Sequence, residues 1–213
     1  MTNATPTVME RLKAETQDLH DAAEGHAFQR AMFSGRLSRE QYARNLEQLF
    51  LVHRDLEARM RSLRNEHPAL AAVVKDEQFQ EARIREDLAY YGAAPDAARP
   101  TPATKRLLGQ IETAARERPL ALLGHWYVLE GSKNGASFLA KALRKAYDLP
   151  EGKGDRHIDP YGPELRAKWQ SFKDDMNGVG FSDDEADTLV EGAREMFEAI
   201  ARIGDDLLEP ATA

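Results

Sequence analysis

The 213-residue chain contains no cysteine. This absence excludes disulfides, thiolate nucleophiles and thiolate-held metal centres, so a bound metal must be held by histidine or carboxylate side chains. An excess of positive charge is also lacking, because 29 basic side chains stand against 36 acidic ones, for a formal net charge of −7. Nucleic-acid binding requires clustered positive charge, so we expect no nucleic acid as a partner.

Long apolar runs are missing as well. No stretch approaches 18 consecutive apolar residues, and the first residues lack the basic and apolar regions of a signal peptide. We therefore expect a cytoplasmic protein with no membrane association. The length favours a single domain over residues 1–213, with an ordered core at about residues 7–208.

The chain is rich in apolar residues spaced by three, four and seven positions, which is typical of amphipathic helices. Strand-like alternation is nearly absent, so we predict an all-α fold. Two long helices are predicted to follow capping boxes, one from Ser38 with Gln41 to residue 64 and one from Ser182 with Glu185 to residue 207. The other predicted helices cover residues 7–24, 76–91, 104–116, 119–147 and 164–177.

Six histidines are candidate metal ligands: His20, His26, His53, His67, His125 and His157. His20 borders the apolar face of the first predicted helix, with Glu24 one turn later and Lys13 two turns earlier. At this spacing the Glu24 carboxylate can bond the Nδ1–H of His20 and leave Nε2 free to bind a metal. A histidine in an ordinary helix salt bridge fits the same spacing, so the residues alone leave both interpretations open.

Gly131 and Gly135 interrupt an otherwise apolar helix. An interior glycine costs about 1 kcal/mol relative to alanine, so two on one face require a compensating role. The missing Cβ atoms let a flat ligand or another backbone approach closely, and they permit a kink. From the spacing alone, ligand binding and tight helix packing explain the pair equally well.

Two motifs together resemble the heme oxygenase family, most closely its bacterial members. They are Leu-Lys-x-x-Thr-x-x-x-His-x-x-x-Glu at residues 12–24 and Tyr-Val-x-Glu-Gly-Ser-x-x-Gly-Ala at residues 127–136. The helix at residues 38–64 and the segment at residues 169–177 extend the resemblance over nearly the whole chain. It implies a single-domain, all-α fold in which heme is sandwiched between a proximal N-terminal helix and a kinked, glycine-containing distal helix.

The resemblance also implies roles for individual residues. The axial ligand of the heme iron is His20, and Glu24 hydrogen-bonds the other nitrogen of its ring. The residues implied at the oxygen-binding face are Gly131, Ser132, Asn134 and Gly135, of which Ser132 and Asn134 order proton-delivering water. The residues implied for the heme edge and propionates are Lys13, Tyr127, Lys141 and Lys173, with Arg166 as a further candidate.

The chain departs from the animal-type members of the family at two places. Those members carry an aspartate in the glycine segment, whereas this chain has Gly-Ser-Lys-Asn-Gly at residues 131–135. Trp169 stands where they have a propionate-binding lysine. Bacterial members with Glu-Gly-Ser also lack the aspartate, so its absence does not exclude the activity.

The activity implied by the resemblance is opening of the heme macrocycle at a meso carbon to give biliverdin, CO and Fe(II). Heme is then both substrate and prosthetic group, and O2 and electrons are consumed. An imidazole lacks the electron push of a thiolate toward O–O cleavage, which agrees with this chemistry. Because the chain has no Gly-x-Gly-x-x-Gly dinucleotide motif, we expect an external electron donor, either a ferredoxin or an NAD(P)H-dependent reductase.

Three other functions compete with this one. A non-catalytic heme-binding or heme-delivery protein on the same fold would carry the same ligands, because fold does not determine function. A di-iron oxidase would need inward Glu-x-x-His motifs, and the sequence contains none. A purely structural all-α interaction protein would need no ligand at all.

Overall fold

The computed structural model describes residues 6–150 and 152–208. Within these ranges the chain forms ten α-helices and no β-strand, so the prediction of an all-α fold is confirmed. The helices are α1 (Val8–Glu24), α2 (Ala27–Phe33), α3 (Arg39–Leu63), α4 (Pro68–Val73), α5 (Glu81–Tyr90), α6 (Pro102–Glu117), α7 (Ala121–Ser132), α8 (Ala136–Tyr147), α9 (Leu165–Gly178) and α10 (Asp183–Leu208).

Both predicted capping boxes are confirmed. At the start of α3 the Gln41 N–H donates to Ser38 Oγ at 3.1 Å, and the Ser38 N–H donates to Gln41 Oε1 at 2.9 Å. At the start of α10 the Ser182 N–H donates to Glu185 Oε2 at 2.8 Å. These bonds satisfy backbone donors that a helix leaves free at its first turn, so local sequence determines where these helices begin.

The helix predicted at residues 76–91 is wrong in its first part. A 3₁₀ turn occupies Asp76–Gln78, and α5 begins only at Glu81. The reason lies on α3, where the buried Oε1 of Glu57 accepts the backbone N–H of Gln80 at 2.6 Å and of Glu81 at 3.0 Å. A carboxylate from another helix starts α5, which periodicity does not reveal.

The helix predicted at residues 119–147 is broken in the structure. It consists of α7, a 3₁₀ turn at Lys133–Gly135, and α8. The break falls between Gly131 and Gly135, so the expected kink is confirmed and the continuous helix is not. We call residues 131–135 the glycine turn. The short helices α2 and α4, of seven and six residues, were not predicted because they are too brief to show a period.

Helix α10 holds α1 and α7 in place, since both pack against it. At the crossing of α7 and α10, a Cβ on Gly124 would lie 2.6 Å from the Ala193 nitrogen, and a Cβ on Gly192 would lie 2.9 Å from the Ala121 carbonyl carbon. The two helices therefore touch backbone to backbone. Among the described residues, no helix is long and apolar enough to span a bilayer.

Candidate functional site

His20 lies just before the last turn of α1, with 46% of its side chain exposed. Its ring packs edge-on against Phe197 of α10, with 5.8 Å between the ring centroids. Nδ1 lies 3.4 Å from Asp21 Oδ1 and Nε2 lies 3.6 Å from Glu24 Oε1, which are long distances for hydrogen bonds. The structure differs from the expected geometry, since Asp21 faces Nδ1 and Glu24 faces Nε2. Both carboxylates are exposed, so the ring nitrogens are accessible to a ligand.

Helices α1 and α7 approach each other at Thr16 and Tyr127. Burial raises the pKa of Tyr127, and the neighbouring Thr16 hydroxyl acts in the opposite direction. His20 follows Thr16 by four residues, and Gly131 follows Tyr127 by four residues. Four helical residues rise about 6 Å, so the histidine and the first glycine of the turn each lie one turn from the same contact.

A Cβ added at either glycine of the turn would meet no backbone atom of a neighbouring helix within 4 Å. A Cβ on Gly131 would contact the Trp169 ring at 3.6 Å, and a Cβ on Gly135 would contact the Phe33 ring at 3.8 Å, both ordinary van der Waals distances. Helix packing therefore requires glycine at Gly124 and not at this pair. Of the two explanations that the spacing left open, tight helix packing is not supported by the structure, and close approach of a ligand stays a prediction.

Ser132 and Asn134 are exposed, and both bond the backbone of the same helix end. Ser132 Oγ donates to the Leu129 carbonyl at 2.8 Å, and Asn134 Nδ2 donates to the Gly131 carbonyl at 2.9 Å. Carbonyls at the end of an α-helix lack intrahelical donors, and these side chains supply them. The two residues therefore stabilise the turn, and their expected role in ordering water stays a prediction.

The basic residues expected at the propionates are spread over three helices. Asn177 Oδ1 of α9 accepts the backbone N–H of Met9 at 3.2 Å, and this bond joins α9 to α1. Lys13 follows Met9 by one helical turn, and Lys173 precedes Asn177 by one helical turn. Each lysine therefore lies one turn from the hydrogen bond that joins α1 to α9. Lys13 is exposed and Lys173 is half-buried. Lys141 is exposed on α8, and none of the described hydrogen bonds or ion pairs joins it to them.

Exposed aromatic rings beside the glycine turn were not predicted. Phe33 is 45% exposed and Phe138 is 76% exposed, and Phe138 follows Gly135 by three residues. On the other side, Trp169 stacks on Phe172 at 5.4 Å and lies 6.2 Å from the Tyr127 ring. Exposed apolar rings beside a turn whose two glycines lack Cβ atoms suit a flat, apolar ligand. The signal in the sequence was an aromatic residue outside the apolar stripe of α8.

The structure also contains two surface depressions away from this site. One, of about 390 Å³, is lined by Arg106, Arg118 and Arg202 among others, and one, of about 460 Å³, by Arg39, Tyr90 and Tyr91 among others. Neither depression is lined by a residue that is predicted from the sequence to bind heme. Among the described residues, no three His, Asp or Glu side chains converge on a site for a free metal ion, and a single axial histidine requires no such group.

Fold and candidate site together define a class of protein: an all-α protein with an accessible histidine on α1 and a glycine-containing turn between α7 and α8. The sequence model of the Heme oxygenase family matches residues 7–205, and the chain belongs to this family.

Individual relatives agree with the family assignment. The chain is 32% identical over 206 residues to heme oxygenase PigA of Pseudomonas aeruginosa, which covers 94% of this chain and 90% of that relative. It is 27% identical to heme oxygenase 2 of Synechocystis sp. over 205 residues, 93% of this chain and 82% of that relative. The crystal structure of heme oxygenase-2 from Synechocystis sp. in complex with heme and NO matches with a TM-score of 0.89 at 26% identity, covering 95% of this chain and 85% of that chain.

Proposed function

We propose that this protein binds heme between α1 and the glycine turn and opens its macrocycle at a meso carbon, giving biliverdin, CO and Fe(II). The observation that carries the proposal is that a Cβ on Gly131 or Gly135 would meet only the ring of Trp169 or Phe33 within 4 Å, which leaves the backbone of the turn open to a ligand. A ligand that is held by His20 on one face meets the glycine turn on the other.

His20 is the proposed axial ligand of the heme iron. Its half-exposed ring has both nitrogens accessible, and packing against Phe197 limits the directions that the ring can take. Asp21 or Glu24 then accepts from whichever nitrogen does not bind iron, which sets the tautomer. Bound heme supplies the oxygen-activating chemistry, and the protein supplies its orientation.

The glycine turn is the proposed oxygen-binding face. At Gly131 and Gly135 the backbone approaches the ligand without intervening Cβ atoms, and Phe33 and Trp169 flank this surface. A backbone at such short range restricts the directions in which a bound diatomic molecule can tilt. Ser132 and Asn134 keep acceptor lone pairs for water, in addition to the hydrogen bonds that they donate to the turn.

Lys13, Tyr127 and Lys173 are proposed to bind the heme propionates, with Lys141 and Arg166 as further candidates. Burial raises the pKa of Tyr127, so its hydroxyl stays a neutral hydrogen-bond donor at neutral pH. The chain has a net charge of −7, so lysines at the proposed heme edge would form a local area of positive charge. We propose that an external donor, a ferredoxin or an NAD(P)H-dependent reductase, delivers electrons, and that the protein works in the cytoplasm.

A second function, non-catalytic heme binding or delivery, is favoured by one observation. The Ser132 hydroxyl donates to the Leu129 carbonyl, and one of the two Asn134 amide protons is donated to the Gly131 carbonyl. A bound ligand would then meet a distal face with few free donors for proton delivery. Such a protein would bind heme through His20 without turning it over.

The experiment adds hemin to the purified protein, records the Soret band, and then supplies ascorbate in air. We expect a Soret band of a histidine-ligated heme that decays as biliverdin absorption appears. A stable Soret band under these conditions would leave the binding protein as the function, and no Soret shift at all would contradict both.

Two variants test the ligand assignment. His20→Ala should lose the native ligation spectrum while retaining its helix content. His67→Ala serves as the matched control, because His67 precedes α4 without making a side-chain cap and is not among the residues of the site. An unchanged spectrum in His20→Ala would refute His20 as ligand.

A further inference from the structure

The face of α7 opposite the glycines carries a stripe of buried polar side chains. Trp126, Glu130 and Lys133 follow each other at intervals of four and three residues, so they share one side of the helix. Gly124 and Gly131 lie about half a turn away around the axis. Glu130 is 4% exposed and Lys133 is 6% exposed, although both carry ionisable groups.

These side chains form a closed hydrogen-bonded group with Tyr161 and Gln78. Lys133 Nζ pairs with Glu130 Oε1 and donates to the Gln78 carbonyl at 3.0 Å and to the Tyr161 hydroxyl oxygen at 3.2 Å. The Tyr161 hydroxyl in turn donates to Glu130 Oε2 at 3.0 Å. Each of the three ammonium protons of Lys133 therefore has an acceptor.

The cost of burying this pair indicates that its geometry matters. Burial raises the pKa of Glu130 and lowers the pKa of Lys133, and their mutual attraction opposes both shifts. Replacing such a pair by apolar residues is often neutral or stabilising, so stability alone does not explain it. What an ion pair with fixed hydrogen bonds does provide is a single arrangement of the groups that it joins.

Lys133 is the central residue of the glycine turn. Glycines leave a backbone more conformational freedom than other residues do, so Gly131 and Gly135 loosen the segment that faces the ligand. The side chain of Lys133 runs from this segment to Gln78, whose own side chain accepts from Trp126 Nε1 at 3.0 Å. These hydrogen bonds connect the glycine turn to the buried core on the side of α7 opposite the glycines.

We propose that Glu130, Lys133 and Tyr161 form a rear latch, a set of positioning residues that fixes the height and path of the glycine turn over heme. The inference rests on the proposed function and deepens it. The three side chains act through the backbone of the turn and do not touch heme, and the latch thereby restricts which meso carbon is opened. Tyr161 also links the turn to the segment before α9, the helix that carries Trp169.

The test uses a variant in which stability and positioning separate. Lys133→Met with Glu130→Leu removes the pair and keeps an apolar core, so the unfolding midpoint should be retained or raised. In the heme-free protein, we expect the amides of residues 131–136 to exchange about tenfold faster, with α3 amides unchanged. With hemin and ascorbate in air, we expect a mixture of biliverdin isomers instead of one dominant isomer. Turnover should fall about 10- to 100-fold, with the hemin Kd changed less than about threefold.

Tyr161→Phe is the second variant, because it keeps the ion pair and removes the hydroxyl that bridges it. It should change the amide exchange rate and the biliverdin isomer ratio in the same direction as the double variant, by a smaller factor. If the double variant does not fold, Tyr161→Phe tests whether the latch positions the glycine turn. Ile111→Val in the core of α6 is the control, since it lowers stability at a distance from the turn.

Unchanged exchange at residues 131–136 together with an unchanged isomer ratio would overturn the latch, as would a slower turnover shared by Ile111→Val. If the unaltered protein forms no biliverdin, the proposed function fails. The exchange measurement on heme-free protein then still decides whether Glu130, Lys133 and Tyr161 hold the turn.

Discussion

The first turns of α7 pack backbone to backbone against α10, whereas a Cβ on Gly131 in its last turn would meet only the Trp169 ring within 4 Å. Both ends contain glycine. At Gly124 a side chain is excluded because the Leu189 carbonyl and the Ala193 nitrogen occupy its place. At Gly131 the nearest atom to a Cβ is in the Trp169 ring at 3.6 Å, so the polypeptide would tolerate a side chain there.

This difference separates two reasons for a glycine in a helix, which cannot be distinguished in the sequence. Glycine at the closed end, around Gly124, serves the folding of the protein itself. Gly131 at the open end has no such packing role, and within α7 it carries a helix-propensity cost of about 1 kcal/mol. A residue that destabilises the helix and has no packing role in the fold is expected to serve the function of the protein.

The largest effect should come from Gly124→Ala. The added Cβ must push α7 away from α10, and overpacking of this kind costs about 3 kcal/mol. Urea denaturation of the heme-free protein measures the loss. Gly109→Ala is the matched control, because a Cβ on this α6 glycine meets nothing within 4 Å and alanine should stabilise by about 0.5 to 1 kcal/mol. A loss at Gly124 below about 1 kcal/mol would show that the two helices separate freely.

Gly131→Ala should invert this outcome. We expect stability of the heme-free protein to be unchanged or raised by up to about 1 kcal/mol, because alanine favours the helix and the Trp169 ring lies at contact distance. Turnover of heme should nevertheless fall at least about tenfold, since the methyl group enters the space of the ligand. Denaturation and biliverdin formation are measured on one preparation. Destabilisation comparable to that of Gly124→Ala would remove the distinction between the two ends.

The closed end should also respond to acid. His125 Nε2 lies 3.0 Å from Glu195 Oε2, and Arg118 donates to Oε1 at 3.1 Å. The bond with His125, followed by that with Arg118, holds the pKa of Glu195 below its ordinary 4.5, although burial acts to raise it. A carboxyl with a depressed folded-state pKa stabilises above pH 4.5, and this contribution is lost as the pH falls through the folded value.

The variant Glu195→Gln measures this contribution. At pH 7 it should be less stable than the unaltered protein by about 1 to 2 kcal/mol, and the gap should close as the pH falls below 4.5. Denaturation at a series of pH values gives the gap directly. A gap that is the same at pH 7 and pH 3 would assign the loss to packing instead of ionisation.

Ser132→Ala should have the smallest effect. The Ser132 hydroxyl is exposed and bonds only the Leu129 carbonyl of its own helix, so we expect a stability change within about 0.5 kcal/mol. The hemin dissociation constant from Soret titration should change less than about twofold. A larger loss of turnover than in Gly131→Ala would show that the Ser132 side chain contributes more than the glycine backbone to the chemistry at the oxygen-binding face.

Much of the fold was predictable, because its signals are local. The starts of α3 and α10 follow from side chains three residues apart, Ser38 with Gln41 and Ser182 with Glu185. The start of α5 was not predictable, because it depends on Glu57, which lies 23 residues before Gln80 in the chain. The candidate site divides in the same way. The resemblance to the family singled out His20 and the two glycines of the turn, which spacing had left open, while the exposure of Phe33 and Phe138 required the assembled helices.

The sequence by itself determined an all-α chain, the position of its longest helices and the two motifs that resemble the heme oxygenase family. Periodicity and capping act within a few residues, so they can be read without a fold. Only the tertiary structure decided that Gly124 packs against α10 and that the glycine turn does not. It also decided that Lys133, a polar residue in the sequence, is buried against Gln78, 55 positions away. Burial depends on which distant segments meet, and that is a property of the folded chain.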